Sequence, residues 1–125
     1  MSESEDKEPS GGRANPIALA AANQPPAITT FSRGELNEIL QVYGRKVADG
    51  EWRDYAIDQL SEQAVFSVFR RASEVPLYRI VKQPRLARKQ GAYSVIAATG
   101  LILKRGHDLG NVLRVLDRRL SLVVA

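Results

Sequence analysis

The chain of 125 residues has no cysteine, one histidine, one tryptophan and one methionine. Without cysteine there is no disulfide frame and no thiolate metal site. No stretch approaches the roughly 20 consecutive apolar residues that a membrane helix needs. The N-terminus is acidic with no apolar run behind it, which argues against a secretory signal and for a cytoplasmic protein. Phosphate-binding glycine loops, zinc-ligand spacings and nucleophile elbows are missing too. No catalytic or cofactor motif stands out, so the sequence predicts a non-enzymatic protein with no cofactor and no metal. Apolar content of 44% and charged content of 26% suit one soluble globular domain.

Charge is unevenly spread. The formal net charge is +4. Residues 1–30 hold Glu3, Glu5, Asp6 and Glu8 against Lys7 and Arg13, a balance of −2, which leaves +6 for residues 31–125. Serine, glutamate, glycine, proline and alanine dominate the first 30 residues, and no aromatic precedes Phe31. Such a segment cannot bury enough surface to offset its ordering entropy, so residues 1–30 read as a disordered leader. Its one apolar stretch, Ile17 to Ala22, lies between Pro16 and the Pro25–Pro26 pair. A sharper reading makes the leader an acidic arm that folds back on a basic face and competes with a ligand. Residues 31–120 form the predicted domain, and residues 121–125 an apolar C-terminal tail.

Ser32 and Glu35 have the spacing of a capping box, and Phe31 with Leu36 that of a hydrophobic staple. A helix follows, with Leu36, Ile39, Leu40, Tyr43 and Val47 on one stripe and Gly50 at its end. Residues 53–60, 64–71, 77–82, 92–97 and 101–105 read as short strands, with Pro84 closing the third and Thr99–Gly100 turning the last hairpin. Residues 85–90 are a basic connector. After Asp108, a cap, the apolar stripe Leu109, Val112, Leu113, Leu116 and Leu120 repeats the first helix's spacing. The expected fold is α+β: an antiparallel sheet of about five short strands flanked by an N-terminal and a C-terminal amphipathic helix. Both helices pack on one face, both stripes are buried, and the other face is solvated or used.

The segments FSRGELNEILQVYGRKVADGEWRDYAIDQ, AVFSVFRRASEVPLYRIVKQPRLARKQGAYSV and LILKRGHDLGNVLRVLDRR resemble an uncharacterised family of small bacterial proteins, a domain of unknown function. The resemblance covers roughly residues 31–120. It implies a bacterial, cytoplasmic protein and brings no activity, cofactor or catalytic residue with it.

Candidate chemistry reduces to three places. His107 stands beside Asp108, but a lone imidazole next to a capping aspartate is a poor general base. Asp54 and Asp58 share a strand face, with Glu51 and Glu62 nearby, yet no third fixed ligand completes a cation site. Between Arg70 and Arg105 there are nine cations and one acid, Glu74. Arg79, Lys82, Arg85, Arg88, Lys89, Lys104 and Arg105 are the candidate nucleic-acid-binding residues, with Phe66, Tyr78 and Tyr93 interleaved as stacking aromatics. Strand periodicity puts Arg79 and Lys82 on opposite faces, so one flat patch cannot hold both. The expected partner is RNA or DNA held non-specifically, or an acidic protein; the alternative is an interaction module or regulatory adaptor without nucleic acid.

Overall fold

A computed structural model describes the backbone of residues 28–71 and 74–124, with side chains through Asp117. The leader through residue 27 and the side chains of the tail, with Leu120, lie outside the described residues. Chain order gives α1 (Arg33–Ala48), β1 (Asp54–Gln59), β2 (Ala64–Phe69), β3 (Tyr78–Lys82), a 3-10 turn (Pro84–Leu86), β4 (Tyr93–Ala97), β5 (Ile102–Gly106) and α2 (Leu109–Val124). The protein is α+β, with one five-stranded antiparallel sheet in the order β1-β2-β3-β4-β5.

The capping box forms as spaced. Ser32 Oγ accepts the Glu35 amide at 3.1 Å, and the Ser32 amide donates to Glu35 Oε1 at 2.7 Å. Phe31 belongs to the core cluster, and Leu36 packs against it. Gly50, at φ 78°, follows the helix end. Asp108 caps α2 by accepting the Asn111 amide at 2.9 Å.

Alternation along the strands divides the sheet into two faces. Ala64, Phe66, Val68, Ile80 and Val95 are fully buried and share the core cluster with Ile39 and Val42 of α1 and Leu109, Val112, Leu113 and Leu116 of α2. Each large apolar side chain so buried contributes about 1.5–3 kcal/mol. Trp52, just before β1, joins this core, with its ring 6.2 Å from Tyr43 and 6.3 Å from Tyr78.

One stripe differs from expectation. In α1 the buried residues are Ile39, Val42 and Lys46, whereas Leu40 and Val47 are 38% and 41% exposed. The helix is turned toward α2. Lys46 Nζ meets Asp117 Oδ1 at 3.1 Å, and Arg45 reaches the same carboxylate at 3.4 Å. A buried ammonium needs a carboxylate, and Asp117 of α2 supplies it. That orientation carries Leu40 and Val47 away from the core.

The β4–β5 hairpin turns through Gly100 at φ 94°, with the Gly100 amide on Ala97 O at 2.8 Å. A shift in register between Val95 and Ile96 brings Leu103 against the core. Gly91, at φ 104°, marks the closest backbone approach. A Cβ there would collide with the carbonyl carbon and oxygen of Gly106.

Candidate binding surfaces

The seven candidate cations do not form one surface. Lys82 is engaged on the core side of the sheet. Its Nζ donates to Glu35 Oε1 at 2.9 Å and to Thr30 O at 2.8 Å. The Tyr93 hydroxyl donates to the other Glu35 oxygen through a short contact. Lys82 and Tyr93 face each other across β3 and β4, so both reach the same carboxylate. Glu35 thus closes the helix cap and ties α1 to the sheet. Burial alone pushes the Glu35 carboxyl up. The hydrogen bonds from Tyr93, the Ser32 amide and Lys82, with the Lys82 charge, outweigh it and hold the group below its ordinary value. Burial first, then Glu35 and more distant acids, push the Tyr93 phenol up to about 12.

Arg85 is exposed and meets Glu62 at 3.1 Å. Arg88 and Lys89 are exposed on the connector. Arg105 donates to Gln90 at 2.7 Å, tying β5 to that connector. Lys104 is half-buried opposite Val95. The interleaved aromatics are not available for stacking: Phe66 is fully buried, and Tyr78 and Tyr93 pack on the core.

Arg79 stands apart on the other face. It lies directly between Ser67 of β2 and Ile96 of β4. These residues belong to a groove of 520 Å³. Val65, Phe69 and Val81 complete its apolar floor, Leu60 and Gln63 close one end, and Pro76 lies near the other. The sequence builds this face because β2 (AVFSVF) is apolar on both sides rather than alternating cleanly with polar residues. Val65 and Val81 are buried yet belong to no part of the helix-covered core cluster. Arg79 is half-buried and makes no ion pair among the described residues. Asp58 also lines the groove, but from β1, one strand beyond Ser67. A guanidinium in a partly desolvated apolar floor is well placed to take a carboxylate or phosphate in a forked pair. Periodicity separated Arg79 from Lys82; the apolar setting of Arg79 followed only from the strand register.

His107 is exposed at the entry to α2. Asp54 bonds the next amide, Tyr55, at 2.8 Å. Among the described residues no group of three or more histidines or acids is arranged to hold a metal ion. None of their helices is long and apolar enough to cross a membrane.

These features define a small α+β protein whose sheet and two helices share one core cluster and whose sheet carries a groove lined by Arg79. The chain belongs to the family described as Protein of unknown function (DUF2794), whose profile matches residues 29–113. The match spans α1, all five strands and the start of α2, so the Glu35 cluster and the groove both lie inside it. No curated protein and no solved structure matches the chain.

Proposed function

We propose that the protein is a non-catalytic binding module whose ligand surface is the groove around Arg79. Its ligand is an extended protein segment with alternating apolar side chains and a carboxylate. In this reading the two amphipathic helices flank the sheet as its scaffold. The setting is the bacterial cytoplasm, as the resemblance suggests. One observation carries the reading: Arg79, with no ion pair among the described residues, set beside Val65, Phe69, Val81 and Ile96 in the groove. The carboxylate offsets the cost of that cation, and the apolar side chains cover Val65, Val81 and Ile96.

The test is a titration of the full chain, followed by amide chemical shifts. The probe is a six-residue peptide of alternating leucine and alanine with a free C-terminal carboxylate. Shifts at Val65, Ser67, Arg79, Val81 and Ile96 are expected. Charge-assisted hydrogen bonds contribute about 1.5–3 kcal/mol, so the amidated peptide, or Arg79→Gln, should bind roughly tenfold to a hundredfold more weakly. Equal binding by both peptides refutes the role of Arg79, and silence from both refutes the groove as a binding surface.

A second reading rests on the exposed connector. Arg85, Arg88 and Lys89 could follow a phosphate backbone, with Arg105 held beside them through Gln90. With the aromatics in the core, such binding would be electrostatic. Its affinity for single strands should then fall with salt at a log–log slope of about −0.7 per phosphate. Replacing all three connector cations should flatten that slope by roughly two. Absence of binding to RNA and DNA at low salt removes this reading.

A further inference from the structure

We infer that β1 is a second docking site, an open strand edge that receives an extended basic segment of another protein. The inference goes beyond the groove reading and does not depend on it. β1 ends the sheet, with β2 on one side and no strand among the described residues on the other. All six of its residues, DYAIDQ, are exposed. Exposed edges are commonly blunted by lysine, proline or a bulge. β1 has none of these, and it pairs with β2 without a break from Asp54 to Gln59. The opposite edge is protected. β5 carries Lys104 and Arg105, its pairing is interrupted by the shift between Val95 and Ile96, and α2 packs against it.

The hydrogen-bond pattern decides which groups β1 offers. The Leu60 amide donates to Gln63 O at 2.9 Å. In an antiparallel ladder, the even-numbered residues of β1 then turn their backbone groups toward β2, and Tyr55, Ile57 and Gln59 turn theirs outward. Asp54 Oδ1 occupies the Tyr55 amide at 2.8 Å. Ile57 and Gln59 each present an outward donor and an outward acceptor. The strand is held in place to receive a partner. The Tyr55 ring stacks on Phe66 at 4.8 Å and meets Tyr43 edge-on at 5.0 Å.

Side chains set the partner's chemistry. Tyr55 and Ile57 lie opposite Val68 and Phe66 of the core cluster, yet they are 42% and 37% exposed. They extend the core face as an apolar shoulder. Asp54 and Asp58 lie on the other face with Ala56 between them, and make no ion pair among the described residues. A strand laid along β1 therefore meets apolar side chains on one face and carboxylates on the other. Its complement alternates β-branched residues with lysine or arginine, since apolar and opposite-charge cross-strand pairs are both favourable. A second copy of β1 does not meet that requirement. A two-fold axis through Ala56 sets Asp54 opposite Asp58 of the other copy, twice over. An axis through Tyr55 or Ile57 sets like aspartates diagonally.

The test uses the full chain and an acetylated, amidated heptapeptide, threonine-lysine-valine-threonine-valine-lysine-threonine. Its titration should move the amide signals of Ile57 and Gln59 and slow their hydrogen exchange, leaving those of Val81 and Ile96 in place. N-methylation of both valines removes the donors that face β1 and should weaken binding roughly tenfold. Glutamate in place of both lysines should also weaken it roughly tenfold, and Asp54→Asn with Asp58→Asn should erase that difference. Asparagine still accepts the Tyr55 amide, so this variant keeps the strand end intact. Unmoved β1 signals overturn the inference, as does equal binding by the N-methylated or the glutamate peptide. So does sedimentation as a dimer with Ile57 and Gln59 already protected, because the edge then belongs to a second copy. Shifts confined to Arg79, Val81 and Ile96 overturn it too, while leaving the groove as a binding surface. Shifts confined to β1 uphold it whatever becomes of the groove.

Discussion

Glu35 offers the sharpest test of what holds this fold together. Its carboxylate takes three donors: the Ser32 amide, Lys82 and the Tyr93 hydroxyl. Glu35→Ala strands all three. Bonds to a charged group contribute about 1.5–3 kcal/mol each, and the cap bond about 1 kcal/mol. The Glu35 and Lys82 side chains are 14% and 19% exposed, so water recovers part of the loss. The expected cost is about 3–4 kcal/mol at pH 7. Glu35→Gln keeps an acceptor for Tyr93 or Ser32 but loses the charge, and should cost about half as much. Combined with Lys82→Met, it should give a coupling of about 1–2 kcal/mol in a double-mutant cycle. The assay is urea unfolding followed by the fluorescence of Trp52, the chain's one tryptophan and a buried one. The pH dependence has a definite sign. The folded Glu35 value lies below its ordinary 4.5, so its contribution is present above that pH and is lost as pH falls through the folded value. The Tyr93 value is raised from 10.0 to about 12. Its contribution is therefore full below pH 10 and is lost as pH rises toward 12. The gap between the native chain and Glu35→Gln should close in acid. A cost below about 1 kcal/mol for Glu35→Ala, or a gap that does not narrow as the pH is lowered below 4.5, would refute the central role of this carboxylate.

Three further outcomes are expected from thermal or urea unfolding. Ile39→Ala and Leu113→Ala should each cost roughly 2–5 kcal/mol, whereas Leu40→Ala, at a half-exposed site, should cost on the order of 1 kcal/mol; equal costs for Ile39 and Leu40 would contradict the orientation of α1. Gly91→Ala should cost on the order of 3 kcal/mol, since positive φ and a collision with the Gly106 carbonyl act together; a neutral result would mean the two backbones are not in contact. Ser94 is 1% exposed, and its hydroxyl has no hydrogen-bond partner among the described residues, so Ser94→Ala should be neutral or stabilising by about 1–2 kcal/mol, and a clear loss would reveal a partner for that oxygen.

Local signals were legible in the sequence wherever one residue's chemistry decides the backbone. Ser32 with Glu35, Asp108, Pro84 and Gly100 each mark a cap or turn that the structure shows. The strands followed from β-rich runs between such marks, and the pairing of the last two from the Thr99–Gly100 turn; the consecutive order of the whole sheet came from the structure. What was not legible depends on distant partners. The orientation of α1 turns on the Lys46 pairing with Asp117, 71 positions away, and no period within the helix reveals that. Lys82 read as a ligand-binding cation because its neighbours in sequence are basic. Its parity with Tyr78 and Ile80 places it on the core side, where a buried ammonium requires a carboxylate. That parity was the available signal, but which acid answers it emerges only when α1 docks. The groove was hidden for a similar reason. β2 is apolar on both sides, so alternation alone could not tell a covered face from an open one.

The strand order has a consequence for how the chain folds. Every strand pairs with the strand next to it in sequence, so the sheet assembles by closing short loops, each at small entropic cost. The burden of long loop closure falls instead on α1, whose Glu35 must find Lys82 and Tyr93 across 47 and 58 positions. Contacts of such separation slow folding. Of these elements α1 is made first, but both sheet partners of Glu35 are in place only once β4 is, so the helix cannot dock until most of the chain has followed it.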